Sequence, residues 1–257
     1  MHRSYNKFYK THCLGNDFIL IDSGKIKLSR KKIIAWCDRH TGIGADGVLI
    51  LHVGKISAEL FLFNADGSSA EKCFNGLRCA AYYLYHIRKF PSDIKIKMSG
   101  KIYPIKVFKK SVSLNINLED IKILEEKTLK IKDQKITGYF VDVGNPHFVV
   151  LQKTNADWLN TFGKELSENI VFPHRANIEF VWQKNKTWQL LVYERGCGIT
   201  LSCGTGAAAC AKVLHELNKI NQKEFVLEMP GGILKNKMDQ KILIQAADAV
   251  IVFEGKC

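Results

Sequence analysis

The sequence predicts an α/β chain of the α+β type. It is expected to form two pseudo-symmetric domains, each a strongly curved or barrel-like, mainly antiparallel sheet around a central helix. Three observations support this prediction. The two halves of the 257-residue chain carry matching motifs in the same order, about 130 residues apart. Each half contains many strand-length apolar segments bounded by turn residues. Each half also contains one helix-length segment that is apolar on nearly every side, which is typical of an enclosed helix.

The internal repeat is long and ordered, so it organises the whole chain. Five motif pairs recur at offsets of 129 to 131 residues. The pairs are Gly15-Asn16-Asp17-Phe18 with Gly144-Asn145-Pro146-His147-Phe148, Ala45-Asp46-Gly47 with Ala176-Asn177-Ile178 (offset 131), Phe63-Asn64 with Tyr193-Glu194, Cys73-Phe74-Asn75-Gly76 with Cys203-Gly204-Thr205-Gly206, and Met98-Ser99-Gly100 with Met229-Pro230-Gly231. We predict a first domain of residues 1–117, to which 251–257 return, and a second domain of residues 118–250. The join is expected within 115–135, where charge rises and clear patterning is lost.

Local patterns predict the individual elements. Strands are expected at 18–22, 48–52, 59–63, 94–98 and 113–116, and in the second half at 138–143, 147–151, 178–182, 187–193 and 242–246. Central helices are expected at 76–87 and 206–217, each directly after a cysteine. Segments 29–39 and 156–167 predict weaker, peripheral helices.

Composition argues against several classes of protein. The hydrophobic fraction of 46% and only five prolines are typical of a folded globular chain. We expect no membrane association, because no apolar run has the length of a membrane helix and no apolar segment of a secretory signal follows the charged start. The net charge of +13 would suit nucleic acid, but the lysines are scattered over 25–32, 101–110 and 122–135 without a nucleic-acid motif. We therefore expect no nucleic-acid partner.

Eight cysteines without a signal peptide indicate reduced thiols in the cytoplasm. Cys73 and Cys203 stand at matching places in the repeat, each at the start of a predicted helix and next to glycine. A helix start presents unpaired backbone N–H groups and the positive end of the dipole, which bind a carboxylate and lower a thiol pKa. Each half therefore offers an anion site with a thiol beside it.

Two such thiols suit the inversion of an α-carbon. Inversion requires one group to remove a proton from one face of the carbon and another group to deliver a proton to the opposite face. Cysteine can fill both roles, since its reference pKa of about 8.5 is readily shifted toward working pH. We therefore predict an acid/base pair of Cys73 and Cys203, in which thiol and thiolate exchange roles with reaction direction.

Other roles are open to the cysteines. Free cysteine commonly only packs, and that role is expected for Cys37, Cys79, Cys210 and Cys257. Cys13 and Cys197 stand near polar motifs but have no symmetric partner. A disulfide between Cys73 and Cys203 is conceivable in an oxidised sample and would be inactive. The cysteine spacings lack the close pairs of structural zinc, and no glycine segment has the spacing of a phosphate loop or dinucleotide fingerprint, so no metal and no cofactor are expected.

Eight motifs together resemble the diaminopimelate epimerase family over nearly the whole chain. They are His12-Cys-Leu-Gly-Asn-Asp-Phe18, Asp38-Arg-His40, Phe63-Asn-Ala-Asp-Gly-Ser68, Cys73-Phe-Asn-Gly-Leu-Arg-Cys79, Gly144-Asn-Pro-His147, Tyr193-Glu-Arg-Gly196, Cys203-Gly-Thr-Gly206 and Pro230-Gly-Gly232. The resemblance implies two similar α/β domains with the site in the cleft. It also implies conversion of LL-2,6-diaminopimelate to the meso form without pyridoxal phosphate, by a homodimer.

The resemblance also implies roles for individual residues. Cys73 and Cys203 are the acid/base pair, and His147 and Glu194 tune their pKa values. The reacting carboxylate binds backbone N–H groups at the helix starts, which are Phe74, Asn75, Gly204 and Thr205. The remaining substrate contacts, chiefly to the distal amino-acid end, come from Asn16, Asn64, Asn145, Asn177, Glu194 and Arg195. Arg195 suits a carboxylate because its guanidinium binds in a planar, bidentate way, and asparagine can both donate and accept.

Several of these residues also have simpler explanations. Asn16 and Asn64 stand among turn-forming residues and could shape loops, and His147 could be a satisfied structural histidine. His12, His40 and Asp66 are assigned structural roles. Two positions depart from the family pattern, which has glycine where this chain has Phe74 and Cys13. The bulk of Phe74 leaves the pocket shape, and so the substrate choice, open.

Two other functions stay open at this point. The nearest is a cofactor-independent racemase or epimerase of another amino acid that uses the same two thiols. The second is a catalytically silent binding protein of the same fold, which the presence of both thiols and Glu194 argues against.

Overall fold

The computed structural model describes residues 7–22, 26, 28–55 and 57–256, so Cys257 and its predicted packing role lie outside the described part. Within these ranges the first half contains β1 (Lys7–Cys13), β2 (Asn16–Asp22), α1 (Arg30–Cys37), β3 (Gly47–Val53), β4 (Ala58–Asn64), α2 (Phe74–His86), β5 (Asp93–Met98), β6 (Lys101–Phe108) and β7 (Ser111–Asn117). After a 3-10 turn at Leu118–Asp120, the second half contains β8 (Lys122–Ile131), β9 (Gln134–Asp142), β10 (Pro146–Val150), α3 (Ala156–Ser167), β11 (Asn177–Lys184), β12 (Thr187–Glu194), β13 (Gly198–Thr200), α4 (Gly204–Glu216), β14 (Glu224–Met229), β15 (Gly232–Asp239) and β16 (Ile242–Lys256).

The chain divides into two compact units. The first unit holds the described residues up to Leu114 together with those from Ala246 onward, and the second unit is Asn115–Gln245. In the first unit the strands follow the order β1-β2-β3-β4-β5-β6-β7-β16, and β16 pairs back with β1. The sheet is therefore closed into an eight-stranded barrel. Helix α2 contacts β1 to β6 and is almost wholly buried, because its side chains are apolar nearly all round.

The second unit repeats the strand pattern of the first. Its sheet follows the order β8-β9-β10-β11-β12-β14-β15, with β13 paired to β12. The pairs β10–β11 and β12–β14 are parallel, and β9–β10, β11–β12 and β14–β15 are antiparallel. The first unit alternates in the same way, with β2–β3 and β4–β5 parallel and β1–β2, β3–β4 and β5–β6 antiparallel. Helix α4, like α2, is buried along most of its length. The predicted fold class, with a barrel-like sheet around a central helix in each half, is confirmed.

The strand register corrects one part of the sequence repeat. Val48 pairs with Phe63 in the β3–β4 hairpin, and Ile178 pairs with Tyr193 in the β11–β12 hairpin. Since Phe63 and Tyr193 match at an offset of 130, Val48 corresponds to Ile178. The offset of 131 that the sequence predicted for this motif is therefore wrong by one residue. The error matters because a shift of one residue in a strand exchanges the side chains of its two faces.

Several strands lack the pattern that would have predicted them. The segment 115–135, where the sequence predicted a loss of patterning, contains β8, most of whose side chains are exposed, so that no apolar alternation marks it. Strands β1, β6, β13, β14 and β15 were also not predicted. In β6 the buried Tyr103, Ile105 and Val107 alternate with exposed residues, and the lysines of 101–110 hid this alternation.

The helices agree more closely with the sequence. Helix α3 has the predicted bounds, and α1 is three residues shorter than predicted, beginning at Arg30 and ending at Cys37. Helices α2 and α4 begin two residues earlier than predicted, at Phe74 and Gly204, because the preceding cysteines cap them. None of the helices in the described part is long and apolar enough to span a bilayer.

Candidate active site

Each unit places its repeated cysteine at the N-cap of the central helix. The Cys73 sulfur accepts a hydrogen bond from the backbone N–H of Gly76 at 3.2 Å. The Cys203 sulfur accepts the corresponding bond from Gly206 at 3.3 Å. Such a bond and the positive end of the helix dipole both favour a thiolate. We call Cys73 with its neighbours the Cys73 half-site, and Cys203 with its neighbours the Cys203 half-site.

The helix starts also carry the backbone groups predicted to bind a carboxylate. Phe74 and Asn75 are the first two residues of α2, and Gly204 and Thr205 are the first two of α4. The first N–H groups of an α-helix have no partner within the helix, so they can donate to an anion. These four residues lie where the sequence predicted an anion site in each half.

The Phe74 side chain is directed into the core of the first unit. Its ring is 1% exposed and packs edge-on against Tyr103 of β6, with the ring centroids 5.9 Å apart. The sequence left open whether its bulk would alter the pocket. Because the ring belongs to the barrel core, Phe74 contributes only its backbone to the helix start.

The Cys73 half-site is organised by two asparagines. The Asn16 side-chain oxygen accepts from the Cys73 thiol at 3.7 Å and from the Asn75 amide at 3.4 Å. The Asn16 amide in turn donates to an Asp46 carboxylate oxygen at 2.8 Å. The Asn75 side-chain oxygen accepts from the guanidinium of Arg78 at 3.3 Å. Both asparagines are therefore held in one orientation, with the Asn16 oxygen toward the sulfur.

Arg78 is a fully buried cation beside this half-site. Burial lowers its pKa, while interaction with Cys13, Cys73 and Cys79 acts in the opposite direction. Cys13, which replaces the glycine of the family pattern, is also fully buried, and burial raises the pKa of its thiol to about 11. The positive charge of Arg78 favours the thiolate form of a nearby cysteine.

The Cys203 half-site contains a chain of five polar side chains. The Thr205 hydroxyl lies 3.4 Å from the Cys203 sulfur, and the Asn145 amide donates to that hydroxyl at 3.5 Å. The Asn145 oxygen lies 3.1 Å from Nε2 of His147. Nδ1 of His147 lies 2.7 Å from the carboxylate of Glu179, and both of these side chains are wholly buried. The predicted His147 thus uses both ring nitrogens, and it reaches Cys203 through Asn145 and Thr205.

The electrostatic surroundings of Cys203 favour the neutral thiol. Burial raises the pKa of this thiol well above its ordinary value, and the carboxylates of Glu194 and Glu179 raise it further. The hydrogen bonds from Thr205 and from the Gly206 backbone act against that shift. Glu194, predicted from the family resemblance to tune a thiol, therefore acts on Cys203 through its charge.

The remaining predicted residues of the second unit hold its loops. The Asn177 oxygen accepts from the Arg195 backbone N–H at 2.8 Å, and its amide donates to a backbone carbonyl at 3.3 Å. One nitrogen of the Arg195 guanidinium donates to the His174 carbonyl at 2.9 Å. Glu194 accepts from the Thr200 hydroxyl at 2.7 Å. The observed contacts of Asn177 thus position the Glu194–Arg195 turn, and their role toward a substrate stays a prediction.

Asn64 lies at the end of β4 and contacts its own loop. Its amide donates to the Ser68 hydroxyl at 3.0 Å, and that hydroxyl donates to Asp66 at 2.6 Å. These contacts agree with the loop-shaping alternative that the sequence suggested for Asn64. Its role toward a substrate also stays a prediction.

Sequence reasoning missed the charged residues behind both half-sites, which are Asp46, Arg78 and Glu179. Two of these residues could have been recognised from the sequence. Arg78 is a charged residue within a helix that is otherwise apolar nearly all round, and Glu179 interrupts the apolar strand β11. A charged residue in an otherwise buried segment is rarely tolerated without a partner.

The described residues offer no obvious place for a metal ion. Among them, no group of three or more histidine, cysteine, aspartate or glutamate side chains could hold one. Neither Cys73 nor Cys203 forms a disulfide with another described residue.

Comparison with known proteins identifies the family. The model of the diaminopimelate epimerase family matches residues 8–118 and 139–252. The diaminopimelate epimerase of Halothermothrix orenii is 34% identical, over 97% of this chain and 96% of its own length. A hydroxyproline epimerase from Agrobacterium vitis has the same fold, with a TM-score of 0.80 at 11% identity, over 99% of this chain and 93% of its own. A probable proline racemase from Agrobacterium radiobacter matches with a TM-score of 0.77 at 11% identity, over 98% and 92% of the two chains. The match over nearly the whole sequence shows that the chain is an epimerase and belongs to the diaminopimelate epimerase family.

Proposed function

We propose that this chain interconverts LL-2,6-diaminopimelate and meso-2,6-diaminopimelate, with Cys73 and Cys203 as the acid/base pair and without a cofactor. The observation that carries the proposal is the thiol at the start of a buried helix, which occurs once in each unit. The sequence relatives named diaminopimelate epimerase support the substrate. The reaction would supply a precursor for lysine and peptidoglycan synthesis.

The proposed reaction moves one proton off the α-carbon and another onto its opposite face. One cysteine, as thiolate, removes the α-proton and becomes a thiol, and the other cysteine, as thiol, donates its proton and becomes a thiolate. The α-carboxylate accepts hydrogen bonds from helix-start N–H groups, which stabilise the charge that develops next to it. In the reverse direction the two cysteines exchange roles, so no external acid or base is consumed.

The surroundings of the two thiols support a starting state for this reaction. The raised pKa of Cys203 favours its thiol form, and Arg78 attracts the thiolate of Cys73, which forms when the Cys73 thiol gives up its hydrogen bond to Asn16. Asn16, next to the Cys73 sulfur, and Asn145, next to Thr205, are suited to bind the substrate amino-acid groups, because an amide both donates and accepts. Asn64, Asn177, Glu194 and Arg195 are assigned by family resemblance to the distal end.

The test is turnover in deuterated water. The reduced protein is incubated with LL-diaminopimelate without added cofactor, and α-deuteration and meso product are followed. Cys73→Ala and Cys203→Ala should each lower turnover by about a thousandfold or more, since each removes an essential proton-transfer group. The matched control is Cys210→Ala, a buried cysteine of the same helix α4, which should retain activity.

Two results would change the proposal. Retained activity in Cys73→Ala or Cys203→Ala would contradict the two-thiol mechanism. Absence of turnover in the reduced wild-type protein, with deuterium exchange into another amino acid such as proline, would favour the alternative of a racemase with a different substrate.

The location and assembly of the protein belong to the same proposal. We place it in the cytoplasm, because the chemistry requires reduced thiols, and no disulfide joins the seven cysteines of the described part. We expect a homodimer on the family resemblance, and light scattering of the reduced protein would test it.

A further inference from the structure

Glu179 is an unusual residue to find inside the second unit. Its side chain is wholly buried, and one oxygen accepts from His147 at 2.7 Å. The other oxygen, Oε2, has no hydrogen-bond partner among the residues that the structure describes. Burying a carboxylate with half of its acceptor capacity unused is unfavourable and seldom improves stability. Fold stability alone therefore does not account for Glu179.

The first unit shows that the barrel does not need this pair. A Cβ on Gly206 would lie 2.5 Å from the Glu179 carboxylate, and a Cβ on Gly76 would lie 3.0 Å from Leu49. Leu49 is thus the counterpart of Glu179, at the corrected offset of 130. The strand register likewise makes Phe18 the counterpart of His147. Two apolar residues occupy in one unit the positions that a carboxylate and an imidazole occupy in the other.

The atoms of the Cys203 half-site define a direction of hydrogen bonding. Glu179 accepts from Nδ1 of His147, and the Asn145 oxygen faces Nε2, so a ring with a hydrogen on each nitrogen fits both contacts. The Asn145 amide is then turned toward the Thr205 hydroxyl. Because the hydroxyl oxygen accepts from Asn145, its own hydrogen can point to the Cys203 sulfur, which lies 3.4 Å away. From Nε2 of His147 onward each donor points toward the sulfur, whereas Nδ1 points to Glu179.

We propose that Glu179 is a positioning residue of the Cys203 half-site, which acts on the thiol through His147, Asn145 and Thr205. Its carboxylate holds two hydrogens on the His147 ring, which sets the orientation of the Asn145 amide and delivers the Thr205 hydrogen to a Cys203 thiolate. When Cys203 is a thiol, the same hydroxyl oxygen can accept its hydrogen. The inference rests on the proposed two-thiol function for its catalytic consequence, while the state of the His147 ring can be measured without any substrate.

The first arm of the test is nitrogen NMR of 15N-histidine-labelled protein. Wild-type His147, assigned by loss of its signals in His147→Phe, should show both ring nitrogens protonated at neutral pH. Glu179→Gln removes the charge but keeps the shape, so one ring nitrogen should lose its hydrogen and the Asn145 amide should turn over. Glu216→Gln, a matched change at the exposed end of helix α4, should leave the spectrum unchanged. A single-protonated ring in the wild type, or an unchanged spectrum in Glu179→Gln, overturns the proposal.

The second arm measures kinetics with a double-mutant cycle. Glu179→Gln should lower kcat by about tenfold or more with little change in KM, because the Glu179 side chain is wholly buried. Thr205→Val should cause a similar loss, and the combined variant should lose little more than either single variant, because both interrupt one chain. Additive losses, or a KM effect without a kcat effect, overturn the proposal.

A third variant distinguishes positioning from a structural role. The pair His147→Phe with Glu179→Leu copies the first unit and should fold at least as stably as the wild type in urea titration, yet lose kcat like Glu179→Gln. Full activity in this variant overturns the proposal. If the wild type fails to turn over diaminopimelate while the NMR results hold, the proposed substrate is wrong and the positioning role stands.

Discussion

The two half-sites share a backbone and differ in the charge buried behind it. In both, a cysteine caps an enclosed helix and its sulfur accepts an N–H three residues later. Behind Cys73 lies the cation Arg78, and behind Cys203 lies the buried Glu179–His147 pair, whose carboxylate raises the pKa of that thiol. The repeated backbone thus gives each unit a thiol at an anion site. The pKa of Cys203 is held well above its ordinary value and a cation lies beside Cys73, an asymmetry that suits the proposed acid and base.

The largest effect expected from this comparison is a difference in thiol reactivity. In the free, reduced protein at pH 7.5, iodoacetamide should modify Cys73 about tenfold or more faster than Cys203, because the thiolate is the reactive form and burial with two carboxylates opposes it at Cys203. Peptide mapping by mass spectrometry measures both rates, with exposed Cys197 as the reference thiol. Equal rates, or faster modification of Cys203, would contradict the expected difference in ionisation between the two thiols.

A smaller effect should follow when the buried cation is removed. Arg78→Met should slow the alkylation of Cys73 about fivefold, which corresponds to roughly 1 kcal/mol of lost charge interaction, and leave the Cys203 rate unchanged. The same mass-spectrometric assay applies, and circular dichroism checks that the variant is folded. An unchanged Cys73 rate in a folded variant would show that the helix start alone activates this thiol.

A variant of Phe74 tests whether the barrel core can be altered without affecting the candidate site. Phe74→Leu should lower the free energy of unfolding by about 1 kcal/mol, because it repacks a ring that contacts Tyr103. Its kcat/KM should stay within about twofold of the wild type, since the backbone N–H is retained. Urea denaturation and the epimerase assay measure the two quantities. A large loss of activity at unchanged stability would place the ring in the pocket.

The smallest effect concerns a thiol that only packs. Burial raises the pKa of Cys210 well above its ordinary value, so the folded state holds its proton more tightly than the unfolded state. Stability from this group is therefore complete below the unfolded pKa of about 8.5 and falls as pH rises toward the folded pKa. Cys210→Ala matches the first unit, where the counterpart at an offset of 130 is Ala80.

The measurement is urea denaturation under reducing conditions at pH 8 and pH 9. Between pH 8 and pH 9 the free energy of unfolding of the wild type should fall by about 0.7 kcal/mol more than that of Cys210→Ala. An equal fall of the free energy of unfolding in the two proteins would show that the fold does not raise the pKa of Cys210.

Much of the fold could be predicted because its signals are local. Apolar runs and turn residues marked the central strands, and the all-round apolar segments after Cys73 and Cys203 marked the enclosed helices. The edge strand β8 could not be predicted in this way, because most of its side chains face solvent and no apolar alternation is required. The register of β11 was misplaced by one residue, since neighbouring apolar positions look alike in sequence.

The candidate site likewise has features that depend on neighbours in sequence and features that depend on neighbours in space. The sequence by itself determined the repeat, the two thiols and their positions at helix starts, because capping and periodicity depend on neighbours along the chain. Only the tertiary structure decided which charge stands behind Cys203, since Glu179 of β11 reaches that half-site through His147 of β10, whereas Arg78 follows Cys73 in the same helix. It also decided that the Phe74 ring enters the core and that Glu179 binds His147. Those outcomes depend on which strands become neighbours when the sheet curves around its helix, and a linear sequence does not display that adjacency.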